Sequence, residues 1–175
     1  DILHLRKPDT APVYAERLLT LIPEKYHKRI VVHDHFYLKE EYKLKGIHLS
    51  HRNPIVPDNY SGHVSASCHT FEEVIADKKM CDYVFLSPIF DSISKEGYQA
   101  GFTSEEIREA AAKGIIDKRV IALGGVDEDN ILQVKDFGFG GAAILGGLWN
   151  KFNPASDYNY QELIAHFRKL KRLAD

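Results

Sequence analysis

Short apolar runs of strand length recur along the whole chain: Ile2 to Leu5, Ile30 to Val32, Ile47 to Leu49, Val64 to Ser67, Tyr83 to Leu86, Val120 to Leu123 and Ala142 to Leu145. Several are apolar at consecutive positions instead of alternate ones, the pattern of strands buried on both faces of a parallel sheet. Between them lie segments with helix-start chemistry. Thr70-Phe-Glu-Glu73 and Thr103-Ser-Glu-Glu106 read as capping boxes, in which the threonine hydroxyl and the glutamate three residues on satisfy free backbone N–H groups reciprocally. Asp127 is predicted to open a helix, with Glu128 and Asp129 favourably placed in its first turn. Ala11-Pro12 predicts another start, because proline is tolerated at the first helical position. From Tyr160 to Leu173 the residues Leu163, Ile164, Phe167 and Leu170 recur at helical spacing, which predicts a final helix with a solvated basic face.

Strand and helix alternating in this way specify an α/β fold with parallel strands, either an open doubly wound sheet or a closed eight-stranded barrel. No Gly-x-Gly-x-x-Gly follows the first run, so the dinucleotide-binding form of the open sheet lacks its signature. Polar residues and glycines instead follow nearly every run: Arg6-Lys7, His33-Asp34-His35, His48 to Asn53, Ser67-Cys68-His69, Ser87 to Lys95, Gly124-Gly125 and Gly146-Gly147. A barrel concentrates its chemistry on that rim. The expected fold is a TIM (β/α)8-type barrel formed by residues 1–175 as a single domain. Seven runs stand where closure takes eight, so the first strand and helix are expected to be missing from this chain.

Composition narrows the function classes. With 44% apolar and 27% charged residues, the chain has the balance of a globular domain. A formal charge of -2 gives no general electrostatic pull toward nucleic acid. No apolar run reaches the ~18 residues that a membrane span needs. Cys68 and Cys81 cannot supply a disulfide framework or a Cys-x-x-Cys metal site, so a reducing, cytoplasmic setting is expected. The first residue is Asp1 and the only methionine is Met80, so the natural start is expected to lie outside this sequence.

Candidate chemistry concentrates after the strands. In the stretch SPIFDSISKEG, Ser87 to Gly97, the hydroxyls of Ser92 and Ser94 and the ammonium of Lys95 suit phosphate oxygens; the alternative is a polar surface loop. Gly124 and Gly125 read as backbone that approaches a ligand, whereas Gly138 reads as a helix C-cap. Asp34 is a candidate magnesium ligand or a helix N-cap, and Asn53 offers a carbonyl oxygen without charge. Of the nine histidines none belongs to a His-Glu-x-x-His motif. His69, just past a strand end and beside a capping threonine, is the proton-transfer candidate.

Taken together, HLRKP at His4 to Pro8, HDH at His33 to His35, GIHLSHRN at Gly46 to Asn53, SASCHT at Ser65 to Thr70, SPIFDSISK at Ser87 to Lys95, ALGGV at Ala122 to Val126 and GGAAILG at Gly140 to Gly146 resemble the thiamin phosphate synthase and TenI family. The resemblance implies a transferase that joins a hydroxymethylpyrimidine diphosphate to a thiazole phosphate with loss of diphosphate, assisted by Mg2+. It implies Arg6 on the diphosphate, Lys95 as the lysine of the catalytic loop and Ser67 beside the reacting pyrimidine. It further implies Asp34 and Asn53 at the metal, and Ser92, Ser94, Gly124, Gly125, Leu145 and Gly146 around the thiazole phosphate. Four positions depart from the family pattern: His4 replaces a pyrimidine-binding glutamine, His33 an asparagine, Pro8 a lysine, and Asn53 the second magnesium aspartate. These lean toward the TenI branch, which implies a thiazole tautomerase with His69 shuttling the proton, while the SPIFDSISK loop leans toward the synthase. A third reading is a silent binder of thiazole phosphate. The implied partners are these small phosphorylated molecules, with neither nucleic acid nor membrane; a homo-oligomer is compatible with the fold.

Overall fold

In a computed structural model the described residues are 1–91, 100–150, 152–153 and 160–175. They form two compact units, one of Asp1–Ser67 with Met80–Asp82 and the other of Cys68–Lys79 with Tyr83–Asp175.

The first unit carries strands β1 (Leu3–Leu5), β2 (Ile30–Val32), β3 (Gly46–Leu49) and β4 (His63–Cys68). They run parallel and in sequence order, with Leu3 level with Ile30, Val31 with Gly46, and His48 with Ser65. Every residue of β2 and β3 is buried, as the unbroken apolar run of β2 predicts and with His48 as the polar exception in β3. Helix α1 (Pro12–Leu21) starts on its proline and packs Ala15 and Leu19 inward. A 3₁₀ turn over Glu24–Arg29 follows, and its buried His27 closes the end of α1: Nε2 lies 2.9 Å from the Ile22 carbonyl oxygen, and Nδ1 lies 3.0 Å from that of Tyr42. The short helix α2 (Leu38–Glu41) is preceded by Tyr37, so Asp34 is not its N-cap.

The second unit carries helix α3 (Phe71–Asp77) and the parallel strands β5 (Tyr83–Leu86), β6 (Val120–Leu123) and β7 (Gly141–Ala143). Helices α4 (Ser104–Ala112), α5 (Ile131–Asp136), α6 (Gly146–Trp149) and α7 (Tyr160–Ala174) complete it. The core includes Val84, Leu86, Ile107, Val120, Ala122, Ile131, Val134 and Leu170. Thr103 makes the full capping box expected of it. Thr70 makes half of one: its hydroxyl accepts from the Glu73 N–H, but the Glu73 carboxylate reaches past it to the N–H of His69.

Three expectations shift. The helix predicted from Asp127 begins at Ile131, because Asp127 and Asn130 first close a turn in which the Asn130 Oδ1 accepts from the Asp127 N–H at 3.0 Å. The last strand ends at Ala143, two residues short of the predicted Leu145, which is exposed and precedes α6. On α7 the inward stripe is Leu163, His166, Leu170 and Leu173, while Ile164 and Phe167 are exposed. His166 takes the inward place because its Nε2 donates to the Gly147 carbonyl at 2.7 Å. Among the described residues no helix is long and apolar enough to cross a membrane.

Candidate functional site

In the first unit the strand register brings one kind of chemistry to one face. Side chains two residues apart on a strand share a face. His4 is level with Val31, Val31 with Gly46, and His48 with Ser65, so His4, His33, His48, Ser65 and Ser67 all point to the same side. The rings of His33 and His48 stack at 4.1 Å between centroids, and His4 stands edge-on to both at 5.1 Å. His4 Nδ1 lies 2.9 Å from His33 Nε2, a hydrogen bond between the two imidazoles.

Two serines fix the third ring. His48 Nδ1 lies 2.8 Å from Ser65 Oγ, and its Nε2 lies 2.7 Å from Ser67 Oγ. Ser65 donates its own proton to the Ile47 carbonyl at 3.4 Å, so its oxygen is the acceptor for His48 Nδ1–H. In that tautomer Nε2 carries the lone pair and accepts from the Ser67 hydroxyl.

These histidines are held uncharged. Burial, reinforced by the neighbouring His33 and His63, pushes His4 down to about 3. Burial and the Arg6 guanidinium push His33 to about 4. His48, wholly buried, is pushed to about 2 by desolvation, then by His33, His4 and Arg6. Arg6 is itself exposed, at the solvent side of this cluster's end of β1.

Asp34 and Asn53 meet beside it. The turn in which Ser50 and Asn53 exchange backbone hydrogen bonds delivers the Asn53 amide. Its Nδ2 donates to the Asp34 Oδ1 and to the His33 carbonyl oxygen, each at 3.1 Å. Both partners accept only, so the amide turns its nitrogen to the carboxylate and its oxygen away.

The second unit presents mostly backbone. His69 is exposed, and its Nδ1 donates to the Ser87 carbonyl at 3.0 Å, which leaves Nε2 as the basic nitrogen of the neutral ring. Ser87 Oγ lies 3.3 Å from the same Nδ1. The segment after β5 runs along the end of β6, with Ile89 and Phe90 donating to the carbonyls of Leu123 and Gly124. Gly124 and Gly125 adopt φ of 96° and 65° there, and a Cβ on Gly125 would stand 2.3 Å from the Asp91 carbonyl oxygen. Protein packing thus already demands glycine at both positions. The Asp91 carboxylate also ties residue 91 to residue 100, accepting from the Ala100 N–H at 2.8 Å. Gly138, at φ 83° just past α5, is the C-cap its sequence predicts. Leu145 and Gly146 begin α6. Ser92, Ser94 and Lys95 lie outside the described residues.

Sequence reasoning singled out His4, Asp34, Asn53 and Ser67 in the first unit, and the structure gathers them with Arg6 around one cluster. It did not single out His33, His48 or Ser65 as site residues. The signal was present: isolated polar residues within or just after otherwise apolar strands, in LHL, IVVH, GIHL and HVSAS.

Parallel strands carrying polar groups at their carboxyl ends, with helices in the connections, define an α/β protein of the TIM-barrel class. A family model described as thiamine monophosphate synthase matches residues 2–148, and the chain belongs to that family. It is similar to the crystal structure of a thiamine phosphate pyrophosphorylase from Bacteroides thetaiotaomicron, at 61% identity and a TM-score of 0.90, over 99% of this chain and 83% of that one. A thiamine-phosphate synthase of Dictyoglomus turgidum is 33% identical over 65% of this chain and 53% of its own length. That of Actinobacillus succinogenes is 28% identical over 67% of this chain and 56% of its own. The chain thus spans little more than half the length of these two curated relatives.

Proposed function

We propose that this chain is the core of a thiamin phosphate synthase-type transferase, which joins hydroxymethylpyrimidine diphosphate to thiazole phosphate and releases diphosphate. The observation that carries the reading is the 61% identity, sustained over 99% of the chain, to a thiamine phosphate pyrophosphorylase. In this reading Arg6 and Lys95 bind the diphosphate, and His4 and Ser67 face the pyrimidine. Ser92, Ser94, Gly124, Gly125, Leu145 and Gly146 hold the thiazole phosphate.

The chemistry of the first unit supports this assignment. A departing pyrimidine methylene develops positive charge, and a fixed cation pressed against it would raise the barrier. Imidazoles held uncharged down to about 4 or below supply hydrogen bonds to a polar ring without adding that charge. Arg6, at the exposed end, suits the departing anion.

Magnesium fits through one carboxylate. Mg2+ is commonly held by one or two carboxylates together with substrate phosphates and water. Asp34 supplies that carboxylate, and Asn53 orients it by donating to Oδ1 instead of acting as a ligand. When bound, the ion neutralises charge on the leaving diphosphate.

Incubating the full-length protein with both substrates and magnesium tests the reading: thiamin phosphate should form, and its absence at saturating substrates would refute it. The second reading, a thiazole tautomerase, is favoured by one observation, the exposed His69 with its Nδ1 tied to Ser87 and its basic nitrogen at Nε2. That enzyme would convert the thiazole phosphate without pyrimidine or magnesium, and would lose turnover in His69→Ala.

A further inference from the structure

We propose that, while no pyrimidine is bound, His4, His33 and His48 form a binding site for a divalent transition ion of the zinc class, chemically distinct from the oxygen-ligand position at Asp34, so that ion and pyrimidine exclude one another. One ligand nitrogen from each ring lies within 4.8 Å of the others. Tetrahedral Zn–N bonds of about 2.0–2.1 Å set nitrogens roughly 3.3 Å apart. The 2.9 Å between His4 Nδ1 and His33 Nε2 and the 4.8 Å limit bracket that separation, and rotation of one of the stacked rings of His33 and His48 lets both lone pairs meet at one ion.

Three features make the cluster more than a chance meeting of side chains. Its ligands stand on or directly after three adjacent parallel strands, whose register fixes their spacing. The same register turns Ser65 and Ser67 to the face that carries the three rings. Ser65, anchored on the Ile47 carbonyl, accepts from His48 Nδ1–H and so aims Nε2, the supporting contact that orients metal-bound histidines. The Ser67 hydroxyl, 2.7 Å from that Nε2, donates to the same lone pair and gives way when the ion binds. Three imidazoles select zinc, cobalt, nickel or copper over magnesium, which prefers oxygen. The Arg6 charge that depresses His33 and His48 opposes a dication, and so favours an anion or hydroxide as the fourth ligand.

The test uses the full chain without a histidine tag, stripped with EDTA and titrated with Co2+ alone. One equivalent should produce the intense visible absorption of four-coordinate Co2+, unchanged by millimolar Mg2+ and abolished by Zn2+. His33→Ala should remove the band, and His4→Gln, which keeps volume and hydrogen bonding, guards against simple misfolding and should remove it too. Ser65→Ala should weaken Co2+ binding about 10–100-fold. His51→Ala, on the exposed surface, should leave it intact. No band at one equivalent, or a band that survives both His33→Ala and His4→Gln in folded protein, overturns the proposal. The readout is spectroscopic and needs neither substrate, so it is independent of whether thiamin phosphate forms.

Discussion

The strand ends of the two units reach functional chemistry by opposite routes. In the first, side chains do it: three imidazoles, two hydroxyls and a carboxylate–amide pair stand on otherwise apolar strands or in the turns that follow them. In the second, the backbone does it: paired glycines in left-handed conformation, a loop laid along β6, and a single exposed histidine. The first arrangement depends on desolvation and is therefore sensitive to protonation. The second depends on close approach of main chain and is therefore sensitive to volume.

Volume gives the largest expected effect. Gly125→Ala forces a left-handed φ of 65° on a side-chain residue and puts its Cβ 2.3 Å from the Asp91 carbonyl oxygen. Strain of roughly 1–2 kcal/mol and overpacking of roughly 1–3 kcal/mol should lower the unfolding free energy by about 4 kcal/mol. Gly114→Ala is the control: φ there is also positive, 71°, but nothing lies within 4 Å of the added atom. Urea denaturation should show about 1 kcal/mol for that variant, from strain alone. Equal losses would show that close packing does not set the glycine requirement.

On the other side, His48→Ala should cost about 3 kcal/mol, combining a cavity at a fully buried site with a Ser65 hydroxyl deprived of its partner. His48→Asn, which keeps one polar contact, should recover part of the loss. A cost below 1 kcal/mol would mean that the imidazole network contributes little to the fold.

Acid should separate the units next. Each of His4, His33 and His48 has a folded value near 2 to 4 against about 6.5 unfolded. Below about 6.5 the unfolded chain takes up protons that the folded chain refuses, so stability falls as pH falls and is full above that value. In EDTA-treated protein, unfolding free energy should drop by about 3 kcal/mol between pH 6.5 and 5.5, about 1 kcal/mol from each ring. Replacing His33 by asparagine should flatten that slope, whereas a slope unchanged by the substitution would place the acid sensitivity elsewhere.

How much of this the sequence disclosed follows the same division. Runs such as Ile30–Val32, Tyr83–Leu86 and Val120–Leu123 are strands to the residue, because a short unbroken apolar run bounded by polar residues marks both of its ends. The apolar run ending at Leu145 misled, since an apolar side chain can also sit exposed before a helix. Asp127 misled because an aspartate serves a turn as readily as a helix start, and Asn130 closed that turn. Asp34 and Ser67 were legible as polar groups at strand ends. His48 and Ser65 were not, because within a buried strand a polar residue declares itself only when neighbouring strands are in register.

The smallest structural effect is expected at His69, and it sharpens the comparison most. The ring is exposed, and replacing it by alanine removes one hydrogen bond to the Ser87 carbonyl, worth about 1 kcal/mol or less. Thermal unfolding should therefore barely move, in contrast to His48→Ala. Turnover is the discriminating measurement. A tautomerase would lose proton transfer, about 10²–10⁴-fold, while a synthase that does not move a proton through this ring would keep most of its rate. His69→Gln refines the comparison, because its amide can still donate to Ser87 but cannot act as a base. Recovery of turnover by glutamine would assign His69 a positioning role, and continued loss would assign it the proton.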